Sequence, residues 1–231
     1  MANYCIVGSG RQGTAAAYDV VRFGSPSRLT IIDSNICNLE RCESIIKKLT
    51  GFEIDKLVLN IEDKEKMLLA LKDVDIFLSS VPYPLNPYLT DIAIESKTNM
   101  VDLGGHTQNV IKQIERSDEA HNAGISIVPD CGMGPGMNVS MALLSMEGFS
   151  VVEEVRVWDG GLPQNPTPPW NYNLFFNIEG LTNEYDGNAY FIRDKKVVEV
   201  PCFEDIEVLN FPDPIGGLEA AVTSGGLSTM P

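Results

Sequence analysis

An apolar run, Tyr4-Cys5-Ile6-Val7, leads straight into Gly8-Ser9-Gly10-Arg11-Gln12-Gly13, after which the chain turns Ala-rich from Thr14 to Phe23. Such spacing suits a strand that breaks into a helix around an anion. Gly8 permits the tight turn, Gly10 lets a pyrophosphate approach the backbone, and Gly13 lets the helix pack close to the sheet. Phosphate then sits on free amides at the positive end of the helix, with Ser9, Arg11 and Gln12 beside it. Asp33 ends a second β-branched run, Arg28-Leu29-Thr30-Ile31-Ile32, twenty residues past Gly13. At that spacing a carboxylate reaches a ribose diol. The same charge repels a 2′-phosphate, so the cofactor expected is NAD rather than NADP. Arg28 and Arg41 are the nearby cations that would soften the preference. A glycine-rich turn with no nucleotide is the alternative.

Further along, the candidates for proton chemistry are Asp130 and His106. Asp130 follows Ile125-Ser126-Ile127-Val128, as a general base or ammonium partner; the alternative is an N-capping or turn-forming aspartate. His106 follows Gly104-Gly105 where a strand should end, and an imidazole with its ordinary pKa near about 6.5 could shuttle a proton there. A solvent-facing loop histidine is the other reading. Asp102 lies inside its strand and reads as a buried, hydrogen-bonded acid, and His121 as a surface group. Cys131 could line a nicotinamide pocket, with no base beside it to make it a nucleophile. Cys37 and Cys42 lack the partner cluster that a metal site needs, and Cys5 reads as packing.

The elements that must hold these groups alternate. Strands are expected at Leu57 to Asn60, Asp75 to Ser80, Met100 to Leu103 and Ile125 to Val128, with helices at Asn38 to Leu49, Lys64 to Leu71, Tyr88 to Ser96 and Val110 to Ala123. Strands and helices repeated in this way give a doubly wound parallel α/β sheet of the Rossmann kind, whose ligands lie beyond the carboxyl ends of the strands. That rule selects Gly8 to Gly13, Asp33-Ser34, Ser80-Val81-Pro82, Leu103-Gly104-Gly105-His106 and Pro129-Asp130-Cys131-Gly132. Leu103, Gly104, Cys131 and Gly132 thus join Ser34, Ser80, Val81 and Pro82 as cofactor candidates. From Val151 the texture changes. Val151 to Trp158 alternates, Pro163 to Pro169 is proline-rich, and Tyr172 to Ile178, Ala189 to Arg193 and Lys196 to Val200 read as strands of a second, α+β domain with a mixed or antiparallel sheet. The expected boundary divides residues 1–130 from 131–231.

The 231 residues carry 17 Lys+Arg against 32 Asp+Glu, a formal net charge of −15. Such acidity argues against a nucleic-acid groove or an anionic membrane surface. With no signal peptide before the first strand and no apolar run of membrane length, a cytoplasmic protein is expected. The chain stops at Leu227-Ser228-Thr229-Met230-Pro231 without a closing element, which reads as a fragment.

At Asp130-Cys131-Gly132-Met133-Gly134-Pro135-Gly136-Met137-Asn138 the sequence resembles the saccharopine dehydrogenase superfamily, in the branch containing lysine 6-dehydrogenase. Gly160-Gly161-Leu162-Pro163, Glu179-Gly180-Leu181-Thr182-Asn183-Glu184-Tyr185 and the block from Leu218 to Thr229 extend the likeness over nearly the whole chain. The resemblance implies a Rossmann domain, a second domain through which the subunit forms a homo-oligomer, and a C-terminal return segment that is missing here. It also implies a small amino-acid or amine substrate. Saccharopine-forming reductases tend to carry an acid directly before Pro-Gly, whereas this chain has Gly134. That favours oxidative deamination of lysine over a reductase of the saccharopine or carboxynorspermidine type, with a non-catalytic NAD-binding fragment as the third reading. Tyr172 and Glu179 could meet the substrate, although Tyr172 equally fits a core or interface. Thr223 and Ser224, with Gly225-Gly226, offer hydroxyls and amides to a carboxylate, and Arg193 is either a carboxylate clamp or an exposed strand charge.

Overall fold

The computed structural model describes residues 1–169, 171–174, 177–225 and 230. It divides into two compact units, residues 1–103 with 108–129, and residues 104–107 with 130–231. The loop 104–107 therefore belongs with the second unit, which a single cut at residue 130 does not capture.

In the first unit, strands β1 (Asn3–Val7), β2 (Arg28–Asp33), β3 (Asp55–Val58), β4 (Ile76–Ser79), β5 (Asn99–Asp102) and β6 (Ile127–Val128) form one sheet in the order β3-β2-β1-β4-β5-β6. All of the pairings are parallel, with Ile6 opposite Ile31 on one side and Leu78 on the other. Helices α1 (Arg11–Phe23), α2 (Ile36–Thr50), α3 (Lys64–Leu71), α4 (Asn86–Ser96), α5 (Thr107–Ile114) and α6 (Ser117–Ala123) make the crossovers. Alternate residues of a strand face opposite sides, so β1 supplies both layers. Cys5 and Val7 pack with Ile32, Phe77 and Met100 against Met67, Leu71, Leu89 and Ile92 of α3 and α4. Ile6 packs with Leu29 and Ile31 against Ala17, Leu39, Cys42 and Ile46 of α1 and α2. Each Val, Leu, Ile, Phe or Met among them contributes about 1.5–3 kcal/mol when fully buried. Burial pushes the Cys5 thiol up to about 12, which marks it as packing.

Local signals set the ends. Asn35 caps α2 by accepting from the Cys37 amide at 2.9 Å, and Gly51 closes it in the left-handed region. Asp63 caps α3 by accepting from the Lys66 amide. The single helix expected from Val110 to Ala123 is two, broken at residues 115–116. There the Arg116 guanidinium pairs with Asp91 and Glu119, and the Ser117 hydroxyl donates back to the Ile114 carbonyl.

The second unit contains α7 (Met137–Met146), α8 (Ile178–Glu184) and two antiparallel pairs, β7 (Asn188–Arg193) with β8 (Lys196–Pro201) and β9 (Glu207–Phe211) with β10 (Gly216–Ala220). The antiparallel character matches the expectation, but it is divided between two ribbons. Ala189, Val200 and Val222 are buried with Phe191 and Val198 against them. Two expected strands are corrected. Val151 to Trp158 forms none, and its links run through side chains, Arg156 to Glu154 and Glu207 and the Trp158 indole N–H to Glu207 at 2.9 Å. In the stretch Tyr172 to Ile178, residues 175 and 176 lie outside the described residues, and Ile178 opens α8 because Asn177 accepts from the Glu179 amide at 2.8 Å and starts a helix.

Candidate functional site

The first unit holds a cleft of about 400 Å³ at the carboxyl ends of β1, β2, β3 and β4, walled by Gly8, Gly10, Asp33, Ser34, Ser80, Val81 and Pro82 among others. The glycines act as their spacing requires. Gly8 has φ of +98°, and a Cβ on Gly13 would lie 1.9 Å from the Gly8 carbonyl oxygen. Helix α1 thus rests against the turn that precedes it. Among the described residues, a Cβ on Gly10 would meet nothing within 4 Å and no side chain caps α1. The positive end of the helix opens on space, a cradle suited to the phosphates of a dinucleotide.

Asp33, expected to meet a ribose, also ties the turn together. Its Oδ2 accepts from the Ser9 amide and the Ser9 hydroxyl, each at 2.8 Å, and its Oδ1 from the Asn35 amide at 2.8 Å. Burial alone would raise its pKa, but these hydrogen bonds, with one from the Asn38 side chain, hold the carboxyl below its ordinary range. Ser9 is fully buried, so its hydroxyl braces the turn. Ser80 braces it from the other side, donating to the Gly8 carbonyl at 2.7 Å. Arg11 and Gln12 are exposed on the first turn of α1. Of the expected cations, Arg28 begins β2 and donates to the Asp73 carbonyl at 3.1 Å, at the amino end of the sheet. Arg41 is exposed on α2 and is no wall of the cleft. The charged walls, Asp33 and Glu62, are both acidic.

Sequence reasoning missed Asn38, Asn60, Glu62 and Leu85 as walls. The end of the third strand obeys the same carboxyl-end rule and would have supplied Asn60 and Glu62. Leu103 ends in the first unit without walling this cleft, and Gly104, Cys131 and Gly132 belong to the second unit, where Cys131 is exposed.

Within the second unit the loop 104–107 meets the residues around Asp130. A Cβ on Gly104 would lie 2.1 Å from Asp130 Oδ1, and Asp130 is buried. Asn183 Nδ2 donates to the Gly105 carbonyl at 2.5 Å, the Ser224 hydroxyl to the Asn183 carbonyl at 2.6 Å, and the Ser224 amide to the Glu184 carbonyl at 2.8 Å. Asp130, the half-buried His106 and Ser224 are thereby gathered at the end of α8. Beside them stands an acidic group that sequence reading overlooked. Burial, and then the charge of Asp159, pushes the Glu184 carboxyl up to about 7. Burial also raises Asp159. Tyr172 is raised by burial and by Tyr185 and Glu184, and Tyr185 by burial and by Glu184 and Asp159. Two acids and two phenols that disfavour one another's ionisation are relieved by a cation, and a carboxyl near neutrality can exchange a proton. Glu184 stands in the Glu179 to Tyr185 block, so that block was the available signal.

The remaining candidates are exposed or paired with other groups. Glu179 is exposed in the first turn of α8 and Thr223 is exposed. The Arg193 guanidinium pairs with Asp205 and lies 5.4 Å over the Phe191 ring. His121 is exposed in the last turn of α6. No helix among the described residues is long and apolar enough to cross a membrane.

This arrangement has relatives. The chain is 26% identical over 156 residues to the mitochondrial alpha-aminoadipic semialdehyde synthase of Mus musculus, covering 64% of this chain and 16% of that one. It is 23% identical over 154 residues to the NADP(+), L-glutamate-forming saccharopine dehydrogenase of Saccharomyces cerevisiae, covering 64% of this chain and 34% of that one. The apo structure of a saccharopine dehydrogenase (L-Glu forming) from Saccharomyces cerevisiae superposes with a TM-score of 0.64 at 19% identity, over 96% of this chain and 49% of that chain. The chain therefore spans about half of that structure and less of the two sequence relatives. Residues 4–128, more than half of the chain, match the family model for the saccharopine dehydrogenase NADP binding domain. With its sheet order, its glycine turn and this match, the chain belongs to the saccharopine dehydrogenase family and carries that family's pyridine-nucleotide-binding domain.

Proposed function

We propose that this chain is the dinucleotide-binding and substrate-facing part of an oxidoreductase that acts on the CH–NH2 group of an amino acid or amine, with lysine as the preferred substrate and NAD as the preferred cofactor. The observation that carries the proposal is the first unit's cleft, with an open helix end at Gly10 and an acid at Asp33. A bound oxidised nicotinamide would accept the hydride. The chain's own part is binding and proton management. Gly10 and the α1 amides hold the phosphates, and Asp33 offers its remaining lone pairs to the ribose diol. An amine is protonated at neutral pH, with an ordinary pKa of about 10.4. It must lose that proton before the carbon beside it can release hydride. Glu184 or Asp130 takes the proton in this reading. The positive charge of a bound ammonium group favours ionised Glu184, whose proton leaves to solvent, and the carboxylate then accepts the ammonium's proton as the base. Water adds to the resulting imine, and the products are ammonia and an aldehyde.

NAD over NADP follows from the two acidic walls, which disfavour a 2′-phosphate. The family description, which names NADP, supports the opposite cofactor preference. The second reading is a reductase that joins an amine to an aldehyde at the expense of a reduced cofactor. The test incubates the protein with lysine and either oxidised dinucleotide while following absorbance of the reduced form. Reduction with lysine supports the first reading. Silence there, with consumption of the reduced form when an aldehyde and an amino acid are supplied together, rejects it. Self-association is kept within the proposal, with the exposed apolar groove along α7 in its support and sedimentation as its check.

A further inference from the structure

Beneath the cleft runs a chain of buried polar side chains that the proposed reaction does not use. Ser79, Asn86, Thr90, Asp102 and Gln113 are all buried, between β4, α4, β5 and α5. Their hydrogen bonds converge on Asn86 from one end and spread from Gln113 at the other. The Ser79 hydroxyl donates to Asn86 Oδ1 at 2.7 Å, and the Thr90 hydroxyl to the Asn86 carbonyl at 3.0 Å. Gln113 Nε2 donates twice, to Thr90 Oγ1 at 3.1 Å and to Asp102 Oδ2 at 2.7 Å. One turn earlier on α5, Asn109 Nδ2 donates to the Tyr83 carbonyl at 3.0 Å.

The segment these bonds enclose is residues 80–85, whose Ser80, Val81, Pro82 and Leu85 wall the cleft. Ser79 and Asn86 close its base, and Asn109 holds it from α5. Asn109 and Gln113 are four residues apart and so share one face of their helix. A buried carboxylate and a chain of buried hydroxyls and amides are costly to place where apolar side chains would pack. Gln113 makes the point sharply: both amide hydrogens are spent, while its buried Oε1 accepts no hydrogen bond among the described residues. An orphaned buried acceptor calls for a reason beyond packing.

We propose that Gln113 and Asp102, together with Asn109, are positioning residues that fix the 80–85 segment and thereby shape the nicotinamide end of the crevice. The inference rests on the dinucleotide reading above. In a sheet of this order the adenosine half lies with the acid that ends β2 and the other half across the switch point, on the β4 side. The adenosine half has supports of its own, Asp33 and the turn from Gly8 to Gly13. Ser80 stays tied to β1 through its backbone N–H to the Val7 carbonyl at 2.8 Å. A loosened network therefore moves residues 81–85 and leaves the phosphate cradle in place.

The test compares two ligands by calorimetry, ADP-ribose, which lacks the nicotinamide, and whichever of NAD or NADP the wild type binds more tightly. Gln113→Leu and Asn109→Ala should each weaken the dinucleotide about tenfold and ADP-ribose less than twofold. Asp102→Ala should behave as Gln113→Leu does, whereas Asp102→Asn keeps an acceptor oxygen for Gln113 and should recover most of the loss. Asn109 is only half-buried, so Asn109→Ala decides the matter should the buried variants fail to fold. Equal losses for both ligands, or no loss for either, would overturn the positioning role. A wild type that binds ADP-ribose as tightly as the dinucleotide would overturn it as well. A wild type that binds neither ligand would overturn it together with the dinucleotide reading beneath it.

Discussion

Asp33 has one structural duty and one proposed duty. Its carboxylate is where a ribose diol would reach, and it also ties the Ser9 amide and hydroxyl to the Asn35 amide. Hydrogen bonds to a charged group contribute about 1.5–3 kcal/mol each, so Asp33→Ala should both loosen the glycine turn and weaken NAD at least tenfold. NADP should lose less, because its 2′-phosphate is relieved of a repelling charge; calorimetry with both dinucleotides checks this, and equal losses would sink the ribose argument. The depressed carboxyl adds stability above its unfolded pKa, and this is lost as pH falls through the folded value. Glu184 has the opposite sign. Its folded pKa, about 7, lies above the unfolded value, so its stabilising contribution is full below the unfolded pKa and is lost as pH rises through about 7. Glu184→Gln should abolish that decline in thermal melts and remove a titration near neutrality from the pH dependence of turnover. A melt profile unchanged by the substitution would show that Glu184 is not perturbed.

At the scale of elements, the turn between β1 and α1 separates folding from binding. Gly13→Ala places a Cβ against the Gly8 carbonyl, so the helix must move, and a loss of about 1–3 kcal/mol in stability is expected. Gly10→Ala meets open space, and at an N-cap it should cost well under that in stability. It would nevertheless fill the cradle where phosphate belongs. Denaturant melts paired with dinucleotide titration should therefore find Gly10→Ala less destabilised than Gly13→Ala yet at least tenfold weaker in binding than the wild type. Unimpaired binding would mean that the phosphates do not lie there. Elements also explain the missed assignments. Alternation at Val151 to Trp158 has the period of a strand but joins no backbone ladder among the described residues, and Arg156 and Trp158 make contacts with Glu207. Asn177 overrode the β-like texture of its neighbours because an N-cap supplies an acceptor that a strand start does not need.

Across the whole molecule the two units are unequally built. The first buries two side-chain layers on a six-stranded sheet, whereas the second buries Ala189, Val200 and Val222 around two-stranded ribbons that are marginal by themselves. Leu144 on α7 and Phe149 just past its end are each 69% exposed, and Phe149 lines a groove of about 910 Å³. Calorimetric melting should accordingly resolve two transitions, the second unit melting first. Saturating dinucleotide should raise only the upper one, because binding stabilises the unit that holds the ligand. A single transition shifted as a whole would show that the units melt together.

The sequence alone determined the first unit almost completely, since glycine spacing, β-branched runs and helix caps are local and encode strand, turn and helix within a few residues. Gly8, Gly10, Gly13 and Asp33 were legible for that reason, as was the burial of Asp102. What the tertiary structure decided is everything that depends on residues far apart in the chain. It turned Ser9 inward onto Asp33, sent Arg28 to the other end of the sheet, and joined Asn183 and Ser224 to the loop 104–107. It also raised Glu184 by burial beside Asp159. Desolvation and long-range hydrogen bonds have no period and no spacing, so only the folded chain reveals which acid is tuned and which loop is held.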